Sequence, residues 1–190
     1  QLNEGSKKNL LEALLKRSPN NYGEYEASVQ QIIETVKEKK DEALFDYTEK
    51  FDGFHLCADT IRVTEEEIKE AYQKVDEELL KIIRQALKNI RDYHAKQMQY
   101  SWFDSKPDGT ILGQKVTAIQ KAGVYVPGGK AAYPSSVLMN VMPAKVAGVE
   151  QIVMCTPPDK EGKVYPTTLV AAKEAGVDVI YKVGGAQAIA

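Results

Sequence analysis

The sequence predicts an α/β protein: a parallel sheet with helical crossovers, preceded by a helical region. Three observations predict it. From residue 122 onward, short apolar runs alternate with helical segments in the order strand, helix, strand, helix, strand, which is the order of a parallel sheet with right-handed connections. Before residue 110 the apolar residues recur at helical spacing instead. Two glycine pairs, Gly128-Gly129 and Gly184-Gly185, stand where the first and third of these strands run out. The expected division is a helical region over residues 1–110 and a sheet region over residues 111–190.

The elements follow in order. Ser6 to Lys16 has leucines at 10, 11, 14 and 15, spaced for one helix face, and SPNNYG at 18–23 is a turn cluster. Tyr25 to Phe51 carries Val29, Ile32, Ile33, Val36, Ala43, Leu44, Phe45 and Tyr47. The break at Lys40-Asp41 predicts two helices, with Asp41 capping the second. Thr64-Glu65-Glu66-Glu67 is a capping box, and one long helix is expected from Glu65 to about Gln97, its buried stripe running through Ile68, Val75, Leu79, Ile83 and Ile90. PDGT at 107–110 reads as a turn. ILGQKVTAIQ at 111–120 reads as extended, as a hairpin arm with the segment that follows it. The three sheet strands are expected at 122–126, 151–156 and 178–183. The first crossover helix spans Ser135 to Gly148, capped by Ser135 or Ser136 and kinked or split by Pro143. The second spans Pro166 to Val177, started by the proline and closed by Gly176. GGAQAIA opens a third helix.

Composition excludes several classes. Of 190 residues, 43% are hydrophobic and 27% charged, an ordinary globular balance. A net charge of -2 gives a nucleic-acid partner no electrostatic support. No apolar run approaches the roughly 18 residues of a membrane span, and QLNEGSKKNLLEALLKR is polar rather than signal-like. A cytoplasmic location is therefore expected. Cys57 and Cys155 lack any C-x-x-C spacing and read as two unpaired thiols. His55 and His94 form no ligand pair, so the chain shows no zinc site of its own. The first residue is not Met, and the chain stops inside a nascent helix. A fragment of a longer protein is the expectation.

Glycines at the carboxyl ends of parallel strands lead into helix N-termini, where exposed amides and the helix dipole favour anions. They also let a backbone approach a pyrophosphate unobstructed. The standard templates fail, however. A Walker loop needs G-x-x-x-x-G-K-[ST], and Ala131 stands where Ser or Thr would hold magnesium. Neither VPGGKAAY nor VGGAQAIA fits G-x-G-x-x-G. A nucleotide site with non-standard loops and a pair of plain strand-to-helix turns both remain open.

The wording of these segments is more specific than their physics. AGVYVPGGKAAYPSSVLMNVMPAKVAGV, VMCTPP and AGVDVIYKVGGAQAIA resemble the corresponding segments of the histidinol dehydrogenase family, as do ALFDYTEKFDG and NIRDYHAKQ upstream. The resemblance implies an incomplete Rossmann-like, aldehyde dehydrogenase-like sheet after an N-terminal helical region. It also implies a homodimeric enzyme with zinc in each active site that oxidises L-histidinol through the aldehyde to L-histidine with NAD. Residues 111–190 would then be an NAD-binding region truncated at its C-terminal end. Two positions match cofactor contacts of the family: Tyr125 in YVPGG and Gln187 in VGGAQAIA. A phenol can stack on or hydrogen-bond to a nucleotide, and a carboxamide donates and accepts at once. Taken alone, Tyr125 also reads as a packed strand aromatic and Gln187 as a first-turn residue facing water. Lys130 reads as a solvated loop lysine, His94 as a structural or exposed helix residue, and Glu65 to Glu67 as charges favoured by a helix N-terminus.

The family's Glu-His acid-base pair and its zinc ligands (a glutamine, two histidines and an aspartate) have no counterpart here. The carry-over therefore stops at cofactor binding, with zinc held by residues outside this chain, and the 190 residues alone are expected to be inactive. Two other readings stand beside this one: a paralogous dehydrogenase acting on another polar alcohol, such as a sulfonated diol, and a non-catalytic nucleotide-binding module.

Overall fold

The computed structural model describes residues 23–128 and 132–190. The expected helix at 6–16, Gly129 and Lys130 lie outside the described residues.

Helices α1 (Gly23–Lys39) and α2 (Asp41–Asp52) follow one another across a break at Lys40. The sequence placed their break correctly but not its chemistry. Lys40, with φ of 55°, occupies the cap position of α2 and caps with no side-chain bond, while Asp41 lies in the first turn as an acidic residue at the dipole's positive end. Gly53 closes α2 in the left-handed conformation and donates its N–H to Glu49.

The expected long helix is two. α3 (Glu65–Lys74) starts with the predicted capping box: Thr64 accepts from the Glu67 N–H, and the Glu67 carboxylate accepts from the Thr64 N–H. It ends at Val75, whose backbone is extended, and Asp76 caps α4 (Glu77–Ala95) by accepting the Leu79 N–H at 2.7 Å. The aspartate and the glutamates after it are a second helix start inside the apolar stripe. The stripe continues across the break because both helices bury it against the same core, which contains Ile68 and Ile83.

A second correction concerns residues 111–120. Only Ile111–Gln114 forms a strand, β2, and it pairs backwards with β1 (Trp102–Ser105) in an antiparallel ribbon, not with the following segment. The PDGT turn decides this. Gly109 takes φ of 85°, and the Lys106 N–H reaches the Thr110 carbonyl at 2.8 Å, closing the ribbon on itself.

The parallel sheet has β3 (Lys121–Tyr125), β4 (Gln151–Cys155) and β5 (Val179–Tyr181) in that order. Helices α5 (Pro134–Val146) and α6 (Pro166–Ala175) make the crossovers. Residues 61–63 add an antiparallel edge to β5: the Val63 N–H bonds the Ile180 carbonyl at 3.0 Å and the Lys182 N–H bonds Ile61 at 2.7 Å. Neither Ser135 nor Ser136 caps α5. The helix begins one residue earlier, at Pro134, whose fixed φ suits the first turn, and Tyr133 before it makes no side-chain cap. Pro143 lies inside α5 without splitting it. The residue four positions back, Met139, is on the exposed side, where water can satisfy the carbonyl that a proline cannot bond. GGAQAIA starts a helical turn, 3₁₀ over Ala186–Ala188, and the Ala190 N–H bonds the Ala186 carbonyl at 3.1 Å.

One face of the sheet, through Ile152, Met154 and Ile180, packs on α3, α4, α5 and α6 in a single apolar cluster. Polar clamps fix the helices over it. Glu174 of α6 accepts from Arg84 Nε and Nη2, at 2.8 and 2.9 Å, and from the Tyr72 hydroxyl at 2.7 Å. Lys173 meets Glu65 at 3.0 Å. Lys182, 7% exposed, meets the second oxygen of the capping glutamate Glu67 at 2.8 Å.

The Arg84 guanidinium, aided by the Tyr72 hydroxyl, holds the Glu174 carboxyl below the ordinary carboxylate range against the opposing effect of burial. Burial, then Glu174, push Tyr72 up to about 12. A carboxyl depressed in the folded state stabilises the fold fully above its unfolded value, and that contribution is lost as pH falls through the folded value. Arg84 is 56% exposed, so screening keeps the effect modest. Glu174→Gln is expected to lower stability by roughly 1 kcal/mol at pH 7. The gap from wild type should be smaller at about pH 3 than at pH 7, because the contribution is lost as pH falls through the depressed folded value. Urea unfolding at the two pH values checks this, and a gap independent of pH would show that the charge of Glu174 is immaterial.

Candidate functional site

Three loops leave the carboxyl edge of the parallel sheet and meet on one proline. Gly128, after β3, and Gly184, after β5, both lie against Pro157, in the loop after β4. A Cβ on Gly184 would stand 2.5 Å from the Pro157 Cβ, and one on Gly128 would stand 3.0 Å from its Cγ and 3.2 Å from its carbonyl oxygen. Only bare backbone fits at the first position, and the second is tight. The ladder continues into these loops through Val126 N–H to Cys155, at 2.9 Å, and Thr156 N–H to Tyr181, at 3.1 Å.

Tyr125 ends β3. It is level with Cys155 and Tyr181 in the strand register, so the three side chains form a row on the sheet face opposite Met154 and Ile180. The Tyr125 hydroxyl accepts the N–H of Gly185 at 3.2 Å. This bond ties the first glycine loop to the third and leaves the phenolic proton free to donate elsewhere. Burial pushes the Cys155 thiol up, which keeps it protonated and poorly nucleophilic.

Gln187 sits in the 3₁₀ turn and is 2% exposed. Its water-facing alternative is thereby excluded. Both its amide nitrogen and its amide oxygen are buried with no hydrogen-bond partner among the described residues. Leaving such groups unmet costs roughly 1–3 kcal/mol each, so this carboxamide is placed to receive a partner. Gly185 makes room for it: a Cβ there would lie 2.5 Å from the Gln187 Oε1. Beside Gln187, between α1, α2 and the sheet edge, lies a cavity of about 380 Å³ lined by Phe45, Ile61, Cys155, Tyr181 and Gln187.

The structure thus brings Tyr125 and the Gly185–Gln187 turn together through one hydrogen bond. It leaves the histidines apart from them. His94 bonds Gln97 at 2.6 Å, and His55 meets Glu49 at 3.0 Å, both on exposed surface. Glu65, Glu66 and Glu67 are no acid-base pair: Glu65 and Glu67 are engaged by lysines and Glu66 is 4.0 Å from Lys69. Lys182, the buried amine nearest the third loop, is already neutralised by Glu67. Among the described residues no group of three His, Cys, Asp or Glu side chains converges to hold a metal, and no helix is long and apolar enough to cross a membrane. Sequence reasoning missed Pro157. The quoted VMCTPP contains it, but nothing in the string announces that two glycines from other loops press on its ring.

A three-stranded parallel sheet with helical crossovers, glycine loops at its carboxyl edge and a helical layer before it defines a mixed α/β protein of incomplete Rossmann-like architecture. The family model for histidinol dehydrogenase matches residues 15–190. The chain belongs to the histidinol dehydrogenase family. It is 59% identical over 167 residues to the histidinol dehydrogenase of Bacillus subtilis (strain 168), covering 88% of this chain and 39% of that protein. It is 56% identical over 162 residues to that of Heliobacterium mobile, covering 85% and 38%. The crystal structure of histidinol dehydrogenase from Elizabethkingia anophelis superposes with a TM-score of 0.81 at 39% identity, over 87% of this chain and 38% of that one. The chain therefore spans about two fifths of the length of the curated relatives it matches.

The proline contact yields a test. Gly184→Ala is expected to destabilise by about 1–3 kcal/mol through forced displacement of Pro157. Gly123→Ala, where a Cβ meets nothing within 4 Å, should stay within about 0.5 kcal/mol of wild type. Urea midpoints of the two variants decide it, and equal midpoints would mean the loops separate without cost.

Proposed function

We propose that this chain supplies part of the NAD cleft of a zinc-requiring dehydrogenase of histidine biosynthesis, which oxidises L-histidinol through the aldehyde to L-histidine. We assign residues 111–190 the cofactor edge and residues 1–110 the N-terminal helical region. The protein works as a cytoplasmic homodimer. The observation that carries the reading is the match to the family along residues 15–190. The geometry supports it at the loop edge, where Tyr125 and the buried, unpartnered Gln187 carboxamide flank backbone kept free of side chains.

The residues present fit a dinucleotide. Tyr125 would lie against the nucleotide, its hydroxyl held by the Gly185 N–H and its proton available to a ligand oxygen. Gln187 would donate and accept through the two amide atoms that lack partners. Gly128 and Gly184 keep the loop backbones close enough together for the ligand to approach them. When bound, NAD supplies the hydride acceptor for the oxidation. Zinc is different: the described residues do not fit it, and we assign it to residues outside this chain. The residues described here orient the cofactor and exclude water, and they move no substrate proton.

The test is NADH formation from L-histidinol by the intact protein, with and without a zinc chelator. Chelator-sensitive turnover is expected, and residues 1–190 alone should give none. In the intact protein, Tyr125→Phe and Gln187→Ala should each raise KM for NAD roughly tenfold, which corresponds to about 1.4 kcal/mol. Their KM for histidinol should be unchanged. Unaltered KM for NAD in both variants would remove these residues from the cofactor site. Absence of turnover by folded, zinc-loaded protein would shift the reading to a different alcohol or to a non-catalytic module.

A further inference from the structure

We propose that Glu67 and Lys182 form a positioning pair for the cofactor: the two side chains set the place of the third glycine loop, and through it that of Gln187, without touching the ligand. This rests on the cofactor reading above and extends it to the helical region.

The loop needs anchors from outside itself. Gly184 and Gly185 have no side chains by which to be held, and glycine has the most backbone freedom to lose. Every fixed point therefore comes from another element. Gly184 lies against Pro157, and Gly185 donates its N–H to Tyr125 at 3.2 Å. Upstream the anchor is Lys182, two residues before Gly184. Its backbone N–H bonds the Ile61 carbonyl at 2.7 Å, and its ammonium donates to Glu67 Oε1 at 2.8 Å.

Glu67 is itself fixed. Its Oε2 accepts the Thr64 N–H at 2.8 Å, and its own N–H bonds the Thr64 hydroxyl at 3.2 Å. The start of α3 thus dictates where the ammonium ends. Burial gives the pair its force. The Lys182 side chain is 7% exposed, whereas the other ion-paired lysines among the described residues are 29–74% exposed. Surface pairs contribute little, but a buried ammonium stripped of its carboxylate is strongly unfavourable, so the strand end stays with α3. The same burial withholds the ammonium from a phosphate. It is enclosed and already neutralised, so Lys182 acts by position and not as an anion ligand. Glu65, on the same turn of α3, supplies a comparison: it meets Lys173 at 3.0 Å, and that bond leads to α6 rather than to the loop.

The experiment uses the intact protein and reads NAD binding by calorimetry beside the kinetic constants. Glu67→Gln keeps a side chain able to complete the capping box but removes the charge facing Lys182. Lys182→Met keeps an apolar stem and removes the ammonium. Each is expected to raise Kd and KM for NAD roughly fivefold, with KM for histidinol and kcat unchanged. Glu65→Gln should leave Kd for NAD as in wild type. The double variant should recover the urea midpoint lost by Glu67→Gln, because no unpaired buried charge remains. It should keep the weakened NAD binding of either single variant, because both substitutions remove one tether. A lowered midpoint with unchanged Kd for NAD would make the pair a brace of the fold only and overturn the proposal. Tighter NAD binding by Glu67→Gln would show the freed ammonium reaching the phosphates and overturn it as well. Should Glu67→Gln fail to fold, Lys182→Met decides, and an unchanged Kd for NAD in that variant overturns the proposal. Wild-type protein that binds no NAD overturns the cofactor reading and this assignment with it.

Discussion

The ring of Pro157 lies against Gly128 on one side and Gly184 on the other, and the candidate site depends on that contact. Two parallel strands flanking a third would splay their loops apart if side chains stood between them. Removing the Cβ at both flanking positions lets the three backbones converge, and convergence brings the Gly185 N–H to the Tyr125 hydroxyl. The same turn puts Gln187 beneath Gly185, in a position where any side chain at 185 would strike its amide oxygen. Bare backbone, one proline ring and one hydrogen bond together set the shape of the edge.

The helical layer is held to that edge by a carboxylate with two tasks. One oxygen of Glu67 caps α3, and the other neutralises Lys182. Lys182 directly precedes the VGG loop, and its backbone N–H is bonded to Ile61. The start of α3, the antiparallel edge at 61–63 and the last sheet strand are therefore fixed to one another just before the third loop begins. A buried amine left without Glu67 would be costly, so the helix cap and the strand end are tied to the same group. Glu174 does the corresponding work farther along, joining α6 to Tyr72 of α3 and Arg84 of α4. The apolar cluster supplies the driving force, and these pairs select the arrangement of helices over it.

Where the sequence misled, a local signal had been read without its competitor. The stripe from Ile68 to Ile90 has one helical period, yet Asp76 breaks it, because an aspartate followed by two glutamates starts a helix as readily as it continues one. Residues 111–120 are apolar enough for a longer arm, yet the turn at 107–110 had already committed Ile111–Gln114 to Trp102–Ser105. Asp41 looked like a cap, but Lys40 takes the cap position with a positive φ. These are choices between neighbouring options, and none disturbs the order of strands and helices.

The sequence by itself determined that order, the capping box at Thr64, the Pro166 start and Gly176 stop of α6, and the family, because these rest on periodicity, caps and motif wording along a few consecutive residues. It also singled out Tyr125 and Gln187. Only the tertiary structure decided that Gln187 is buried with both amide atoms unmet, that Tyr125 reaches Gly185 some sixty positions away, and that Pro157 spaces the glycine loops. It alone showed the β1–β2 ribbon bare on both faces. The reason is physical. Close approach, burial and hydrogen-bond satisfaction are properties of pairs of groups distant in the chain, and no spacing along the chain records which distant backbone a glycine will admit.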